Sequence, residues 1–189
     1  MNHCMIDIET CGNRFDAPVL SIGAVKFDPA TGALGEQFYA AVDPASAFRH
    51  GKPGGDTFRW WMQQADAARA AAVGGNKTLE EALAGLSGFY RSWRDVEVWG
   101  NGPSFDMTIL EFAYGRIGRP QPWQFCNVRD CRTVASLAGK RPPKIGGDGV
   151  YHNALDDAIH QAGWVSEMWQ GLKGGKPGAS KKADNDLLL

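Results

Sequence analysis

The sequence predicts an α/β fold in which helices flank a mixed sheet of five strands. Three apolar segments near the N-terminus, residues 4–9, 19–27 and 36–42, are typical of strands. After residue 57 the apolar residues change to helical spacing, and helical segments then alternate with two short strand-like segments. Strands followed by alternating helices and strands indicate a mixed sheet covered by helices. The first three strands would be antiparallel, and the last two would join the sheet in parallel.

The first three strands are predicted by their composition and by the turn between the second and the third. CMIDIE, residues 4–9, is apolar and β-branched and ends in two acids. VLSIGAVKF follows, and DPATG then offers Pro and Gly for a turn before EQFYAAV. The three segments together predict an antiparallel meander.

The helices are predicted by apolar stripes and by one N-terminal signal. Helical spacing runs from Thr57 to Ala72, and Thr78 with Glu81 has the spacing of a capping box. VEVWG and WQFCNV are predicted strands, and the segments 107–117, 129–138 and 154–172 are predicted helices. The stripes are formed by Phe58, Trp61, Met62, Ala65, Ala68 and Ala72, and then by Leu79, Leu83, Leu86, Phe89, Tyr90 and Trp93.

The composition limits the class of protein. The 189 residues suit one domain, expected over 1–172, followed by a flexible Gly/Lys/Ser-rich tail over 173–189. The tail ends in three leucines, which are either a frayed terminus or a short docking motif. No apolar run approaches the roughly 20 residues of a membrane helix, and no secretory signal is evident. Four cysteines without CxxC spacing favour reduced thiols in a cytoplasmic protein over a zinc site.

The net charge of −1 does not by itself indicate a protein that binds nucleic acid. A carboxylate cluster that holds divalent metals would lower the net charge, and the bound metals would restore positive charge beside phosphate. A protein that grips only a few terminal nucleotides also needs few phosphate contacts. The basic concentration before the tail either steers phosphates or is a solvated surface, and it comprises Arg129, Arg132, Lys140, Arg141 and Lys144.

Four acids and a histidine stand where predicted elements begin or end. Asp7 and Glu9, two residues apart on a strand, point to one face of the sheet. Asp106 opens a helix after the loop WGNGPSFD, and Asp157 follows His152 by five residues in the first turn of the last helix. Each segment alone also fits a solvated strand end or helix start, because helix N-termini attract acids. Together they suit Mg²⁺ or Mn²⁺, since two such ions about 3.5–4 Å apart can hydrolyse a phosphodiester.

Two neighbouring residues are not expected to join these acids. Asp156 should face a different side of its helix from Asp157, because successive helical residues turn by about 100°. His160 has no comparable setting and is interpreted as an ordinary surface or core histidine.

In order, DIETCG, NGPSFD and HNALDD resemble the three motifs of the DEDDh 3′–5′ exonucleases. The pattern of that family is Asp-x-Glu, then Asn-x-x-x-Phe-Asp, then His-x-Ala-x-x-Asp. The resemblance covers about residues 3–170, and TFRWWMQQ and VRDCRTVASLA are similar to segments of a smaller bacterial and phage exoribonuclease group. Asn153 stands where the tyrosine-type branch has its Tyr, which excludes that branch. The matching residues are Asp7, Glu9, Asn101, Phe105, Asp106, His152, Ala154 and Asp157.

The resemblance implies an RNase H-like fold with an active site at the carboxyl-terminal edge of the sheet. Asp7, Glu9, Asp106 and Asp157 would bind two Mg²⁺ or Mn²⁺ ions, and His152 would take a proton from the attacking water. The substrate would be the 3′ end of single-stranded RNA or DNA, with RNA favoured, and the products nucleoside 5′-monophosphates. Relatives often dimerise, which leaves a homodimer open. The alternatives are a non-catalytic nucleic-acid-binding module on the same fold and a docking protein that works through its tail.

Residues beside the motifs are expected to contact the substrate. Adjacent tryptophans on a helix cannot share one face, so either Trp60 or Trp61 borders the cleft, or both lie in the core. An exposed Trp can stack on a base, and an amide one turn away can hydrogen-bond to a base or ribose. The residues assigned to the substrate side are Ile8, Thr10, Trp61, Gln64, Asn101 and Phe105.

Overall fold

Five strands form one mixed sheet in the computed structural model, which describes residues 1–90, 95–102, 104–143 and 152–174. The spatial order is β3-β2-β1-β4-β5; β2 is antiparallel to β1 and β3, whereas β4 is parallel to β1 and β5. This arrangement confirms the predicted α/β fold and the predicted strand directions. The strands are β1 (His3–Thr10), β2 (Val19–Asp28), β3 (Ala33–Ala41), β4 (Glu97–Gly100) and β5 (Val128–Asp130).

Seven α-helices cover the sheet within the described residues. Among them, none combines the length and the apolar character needed to cross a lipid bilayer. The helices are α1 (Pro44–His50), α2 (Gly55–Trp61), α3 (Asp66–Val73), α4 (Leu79–Tyr90), α5 (Asp106–Arg116), α6 (Cys131–Leu137) and α7 (Ala154–Gly174).

Hydrophobic side chains pack on both faces of the sheet, and β1 contributes to each. Cys4, Ile6 and Ile8 point into the larger core, which contains the buried faces of α4 and α5. Met5 points into the smaller core, which contains residues of α6 and α7. Because side chains alternate along a strand, the odd-numbered residues that follow Met5 also lie on the α7 side of the sheet.

The capping box predicted before α4 is confirmed, and α1 was not predicted. The backbone N–H of Thr78 donates to Glu81 Oε2 at 2.8 Å, and that of Glu81 donates to Thr78 Oγ1 at 3.2 Å. At α1 the carboxylate of Asp43 accepts from the amides of Ala45 and Ser46 at 3.3 and 3.2 Å. Such side chains satisfy amides that have no partner within the helix. The seven residues of α1 are too few for an apolar stripe to be recognised.

The helical spacing predicted over 57–72 is interrupted, because α2 and α3 are separate helices. Side chains satisfy the backbone carbonyls at the break: the amide of Gln64 donates to the carbonyl of Trp60 at 3.0 Å. The guanidinium of Arg69 donates to the carbonyls of Met62 and Gln64 at 3.1 and 2.9 Å. These bonds replace the helical ones, so the chain can change direction here at little cost.

The predicted apolar stripe of this region is correct only in part. Trp61, Ala68 and Ala72 are buried, with exposed fractions of 5% or less. Phe58 is 56% exposed and Ala65 is also exposed, because the break turns the first helix out of line with the second.

The strand predicted over 123–128 is wrong. Residues Phe125–Asn127 form a 3₁₀ helix, and the strand comprises Val128–Asp130 instead. Trp123 is buried because it belongs to the core under α5, where its indole N–H donates to Glu111 Oε1 at 3.2 Å. The apolar signal of this segment therefore came from a core residue before the strand.

Three predictions fall wholly or largely outside the described residues. Trp93 and Lys144 lie in two internal segments that the structure does not describe. The terminal leucines lie beyond residue 174, the last described residue. Helix α7 continues to Gly174, and the remainder of the predicted tail is not described. The division into a domain over 1–172 and a tail stays a prediction.

Candidate active site

Two carboxylates stand at the end of β1 on one face of the sheet. Asp7 and Glu9 continue the row that begins with Met5, and both are partly buried. That row faces the smaller core, to which α7 contributes. The two acids therefore lie at the carboxyl end of the central strand, beneath α7.

A glycine on β2 lets α7 rest directly on the sheet beside these acids. Gly23 is the residue opposite Asp7 in the antiparallel pair. A Cβ atom at Gly23 would lie 2.1 Å from the carbonyl carbon of Ala154, the first residue of α7. Since no side chain fits in that space, the close approach requires glycine here.

The start of α7 directs Asp157 into the same region. The Asn153 side chain accepts from the backbone amides of Leu155 and Asp156 at 3.0 and 3.3 Å, which makes it the helix cap. Asp157 follows in the first turn and is 5% exposed. Asp156 is partly buried, and its orientation away from the other carboxylates stays a prediction.

His152 lies against Glu9 and Asp157 just before α7. One ligand atom from each of these three residues lies within 4.8 Å of the other two. His152 has a φ of 64°, a left-handed conformation that few residues other than glycine adopt. The rings of Trp60 and Trp61 pack edge-on against the imidazole, with centroids 4.6 and 6.0 Å away. The two indoles thus form one wall around the histidine.

Asp106 enters the site from the start of α5. It is 3% exposed, and its Oδ2 accepts from the backbone N–H of Asn101 at 3.2 Å. Gly100, the last residue of β4, leaves room for it, because a Cβ atom there would lie 3.0 Å from Asp106 Oδ2. The end of β4 therefore holds this carboxylate beside β1.

The two β1 acids lie close enough to the other carboxylates for the neighbouring charges to raise their pKa values. Burial raises the pKa of Asp7 well above its usual range, and the charges of Asp106 and Glu9 raise it further. Burial likewise raises the pKa of Glu9 to about 8, with added repulsion from Asp157 and Asp106. Like charges in a poorly solvated site oppose one another's ionisation. The expectation that at least one of these acids has a raised pKa is confirmed.

The other two acids and the histidine are also perturbed by burial. Burial raises the pKa of Asp106 to about 6, although the backbone amide of Asn101 and, to a smaller extent, Arg132 oppose the shift. Burial also raises the pKa of Asp157 to about 6. Burial lowers the pKa of His152, which favours the neutral imidazole that can accept a proton.

These residues suit divalent metal ions. Oδ1 of Asp157 is buried and has no hydrogen-bond partner among the residues that the structure describes. A bound cation would satisfy that oxygen and would offset the repulsion that raises the carboxylate pKa values. Carboxylate oxygens are also the protein ligands that Mg²⁺ and Mn²⁺ prefer.

The residues assigned to the substrate side have different settings. Ile8 and Thr10 are buried at 4% and 6%, so they present mainly backbone, whereas Asn101 and Phe105 are partly buried. Trp61 is 4% exposed and its indole N–H donates to the Thr10 carbonyl at 2.9 Å, whereas Trp60 is 39% exposed. The Gln64 amide is bonded to the backbone of α2. The substrate roles of these residues stay predictions.

Sequence reasoning missed two residues that shape the site, Gln161 and Gly23. The Gln161 amide donates to Asp7 Oδ1 at 2.7 Å. Arg132, which the sequence placed in its basic concentration, lies beside the site, where its Nε donates to Asn101 Oδ1 at 3.3 Å. The helical spacing of Gln161, four residues after Asp157, could have indicated a shared face. The role of Gly23 has no local signal, because its contact is with a helix 131 or more positions further along the chain.

Solved structures share this fold. The nuclease domain of 3′hExo, described as a DEDDh family member bound to rAMP, is 16% identical, with 89% of this chain and 92% of that chain covered and a TM-score of 0.58. Exonuclease X in complex with 5′ overhanging duplex DNA is 16% identical, with 92% and 94% covered and a TM-score of 0.55. E. coli Exonuclease I in complex with a dA16 oligonucleotide is 14% identical, with 90% and 42% covered and a TM-score of 0.62. At these identities the likeness shows the fold, which is the RNase H-like fold of DEDDh exonucleases.

The family is shown by a match over most of the chain. No curated protein matches the sequence. A family model described as the 3′–5′ exoribonuclease Rv2179c-like domain matches residues 2–169. That range contains all four acids and His152. The chain therefore belongs to the Rv2179c-like 3′–5′ exoribonuclease domain family.

Proposed function

We propose that this protein is a metal-dependent exonuclease that removes nucleotides from the 3′ end of single-stranded nucleic acid, with RNA favoured over DNA. The observation that carries the proposal is the convergence of three distant segments: β1, the start of α5 and the start of α7 bring four carboxylates and a histidine together. The family membership supports the direction of degradation and the preference for RNA. The products would be nucleoside 5′-monophosphates.

The four acids would bind the metal ions, and the histidine would accept a proton. Asp7, Glu9, Asp106 and Asp157 would hold two Mg²⁺ or Mn²⁺ ions, which activate water and stabilise the charge that develops on phosphate oxygens. The imidazole of His152 would accept the proton of the attacking water, since its ring lies beside Glu9 and Asp157. The edge-on contact with Trp60 would limit how far the imidazole can swing away.

The substrate strand would approach along the exposed side of this cluster. Trp60 is 39% exposed next to His152 and offers a ring on which a base could stack. Arg132, on α6, is exposed beside Asn101 and would contact a phosphate. Backbone groups of Ile8 and Thr10, and the side chains of Asn101 and Phe105, would line the end of the strand. We keep Trp61 and Gln64 as candidate contacts on the same side.

Matched single-stranded RNA and DNA oligonucleotides test the proposal. With Mn²⁺ or Mg²⁺, an oligonucleotide blocked at its 5′ end should be shortened one nucleotide at a time, whereas one blocked at its 3′ end should survive. RNA should be degraded faster than DNA of the same sequence. Internal cleavage of a circular strand, or undiminished hydrolysis in excess EDTA, would contradict the proposal. Binding of the oligonucleotide without any hydrolysis would favour a non-catalytic module.

The role of His152 is tested by separating turnover from metal binding. His152→Ala should lower turnover at saturating metal by about 100-fold or more, because a positioned general base typically contributes about 100- to 10,000-fold. Its Mn²⁺ affinity, measured by calorimetry, should stay within about threefold of the wild type. A large loss of affinity, with turnover restored at high Mn²⁺, would make His152 a ligand instead.

Three further assignments accompany the proposal. We assign the exonuclease to residues 1–172 and expect truncation after Leu172 to leave activity intact; loss of activity would give the tail a role.

A cytoplasmic location is supported by four free cysteines, three of them buried. A homodimer stays open, and light scattering on the purified chain would decide between one and two copies.

A further inference from the structure

Gln161 is a buried side chain that links α7 to the metal-binding end of β1. It lies one turn after Asp157 on the same helix and is 3% exposed. Its amide nitrogen donates to Asp7 Oδ1 at 2.7 Å. A single helix face thus presents one expected metal ligand and, one turn later, a group that bonds to another.

Within the described residues, the bond to Asp7 is the hydrogen bond that the buried Gln161 side chain makes. Most of the buried positions of α7 near Gln161 are apolar, among them Ala158, Ala162 and Val165. Oε1 of Gln161 has no hydrogen-bond partner among the described residues. A buried amide with one unsatisfied end costs free energy that an apolar side chain of similar length would avoid. The bond to Asp7 is therefore the interaction that distinguishes glutamine from methionine at this position.

The bond restricts how the Asp7 carboxylate can turn. The amide fixes the position of Oδ1, and Oδ2 takes no part in this bond. The amide donor also opposes the repulsion that these two acids exert on Asp7. A carboxylate held in one orientation loses less freedom when it binds a cation.

We propose that Gln161 is a positioning residue that sets the metal affinity of the site by orienting Asp7. The inference rests on the metal site of the proposed function, but it does not depend on the substrate or on hydrolysis. Partners of ligating groups typically change metal affinity or activity by about 10- to 100-fold when they are removed. Gln161 should therefore affect Mn²⁺ binding to the metal-free protein even before any nucleic acid is added.

The test compares two glutamines of the same helix. Gln161→Met keeps the length of the side chain and removes the donor. Gln170→Met is the matched control, because Gln170 also donates its amide, to the backbone carbonyl of Pro29 at 3.3 Å, away from the carboxylates. Titration calorimetry with Mn²⁺ on metal-free protein should show affinity lowered about 10-fold or more in Gln161→Met and changed less than twofold in Gln170→Met. Gln161→Ala serves if the methionine variant does not fold.

A double-mutant comparison identifies the residue through which Gln161 acts. In an Asp7→Asn background, Gln161→Met should change Mn²⁺ affinity by less than about twofold, since the charge that it orients is already gone. An undiminished effect in that background, or an unchanged affinity in the single variant, would overturn the inference. Wild-type protein that binds Mn²⁺ but degrades no nucleic acid would instead overturn the proposed function and leave this inference standing.

Discussion

The two ends of β1 hold charged residues in opposite ways. Beside its start, one acid has a cationic and a polar neighbour: Glu97, on β4, lies 2.6 Å from the Arg129 guanidinium and 3.4 Å from His3 Nδ1. At its end, Asp7 and Glu9 face two further acids, and burial with mutual repulsion raises the pKa values there. Both ends belong to the same rigid sheet, so the difference is not one of flexibility or fold.

We infer from this difference that the start of β1 serves the fold and that its end serves a ligand. Paired charges stabilise a partly buried position by a modest amount, whereas crowded like charges destabilise it. A cation that binds only the folded state would return the lost stability by mass action. Groups that break the local rules of stability are expected at functional sites. The comparison therefore supports a metal site at the carboxyl end of β1, independently of the motif match.

The largest expected effect comes from removing the charge of Asp7 at the end of β1. Asp7→Asn should lower exonuclease turnover by about 1000-fold or more, because a metal ligand is lost. In EDTA its melting temperature should rise by a few degrees, because repulsion from Glu9 and Asp106 is relieved.

Glu97→Gln is the matched change at the other end. It should leave turnover within about threefold and lower the melting temperature by about 2–4 °C, the equivalent of about 1 kcal/mol. Calorimetry in EDTA and an oligonucleotide assay with saturating Mn²⁺ measure both quantities. A lower melting temperature for Asp7→Asn than for the wild type would contradict the contrast between the two ends.

A smaller effect is expected from the glycine that brings α7 onto the sheet. Gly23→Ala must displace the first residues of α7, and with them Asp157 and His152. A misplacement of about 1 Å can cost about 100-fold in rate, and we expect a loss of that size. The control is Gly163→Ala in the middle of α7, where a Cβ atom meets no other atom within 4 Å.

The control variant should be as active as the wild type and more stable by about 0.4–1 kcal/mol, the usual gain from Gly to Ala at a compatible helical position. Activity and thermal unfolding are measured on both variants. Full activity of Gly23→Ala would show that the close approach of α7 does not set the geometry of the site.

The crowded end should also make the stability of the metal-free protein depend on pH. Glu9 has a pKa of about 8 in the folded protein against 4.5 as its ordinary value, and Asp106 and Asp157 have about 6 against 3.8. Between these values the folded state binds more protons than the unfolded state, so the free energy of unfolding falls as pH rises. In EDTA the melting temperature should drop by about 5 °C or more from pH 5 to pH 8.

Two comparisons sharpen this result. Glu97→Gln should show the same slope with pH as the wild type, whereas Asp157→Asn should show a flatter one. Saturating Mn²⁺ should remove most of the decline at pH 8, because the metal stabilises the ionised carboxylates. A melting temperature that rises from pH 5 to pH 8 in EDTA would show that these acids are not crowded in solution.

Elements with strong local signals could be predicted from the sequence. The capping box at Thr78 and Glu81 is a local pair of hydrogen bonds, and the structure contains both. The convergence of the acids was predictable for a different reason. Asp7, Asp106 and Asp157 are far apart in sequence, but each stands at the end or start of an element, where parallel topology brings such positions to one edge of the sheet.

Features that depend on distant partners could not be predicted. The backbone carbonyls at the break after α2 accept hydrogen bonds from Arg69 of the following helix. Trp61 rather than Trp60 is buried, because its indole N–H meets the carbonyl of Thr10, 51 positions earlier. Gln161 bonds to Asp7 across 154 positions of the chain. A single sequence does not show such contacts, since its periodicity reports which side of an element is apolar and not which atom lies opposite.

The smallest expected effect concerns Arg132, whose positive charge lowers the pKa of Asp106. Arg132 donates to Asn101 and opposes the raised pKa of Asp106 while remaining exposed to solvent. If it contacts a phosphate of the incoming strand, Arg132→Gln should raise KM by about 3- to 10-fold with kcat within twofold. The slope of log(kcat/KM) against log salt should become less negative by roughly one, the change expected for one lost phosphate contact.

Arg116→Gln provides the matched control for Arg132, because it removes the same charge at the opposite end of α5 from Asp106. Its KM and its salt slope should equal those of the wild type. Equal changes in both variants would mean that the overall charge of the protein, and not a contact at the site, attracts the strand. A fall in kcat with an unchanged KM would instead mean that Arg132 acts on Asp106 and the metals. The salt slope separates these outcomes, because only a direct phosphate contact alters it in Arg132→Gln alone.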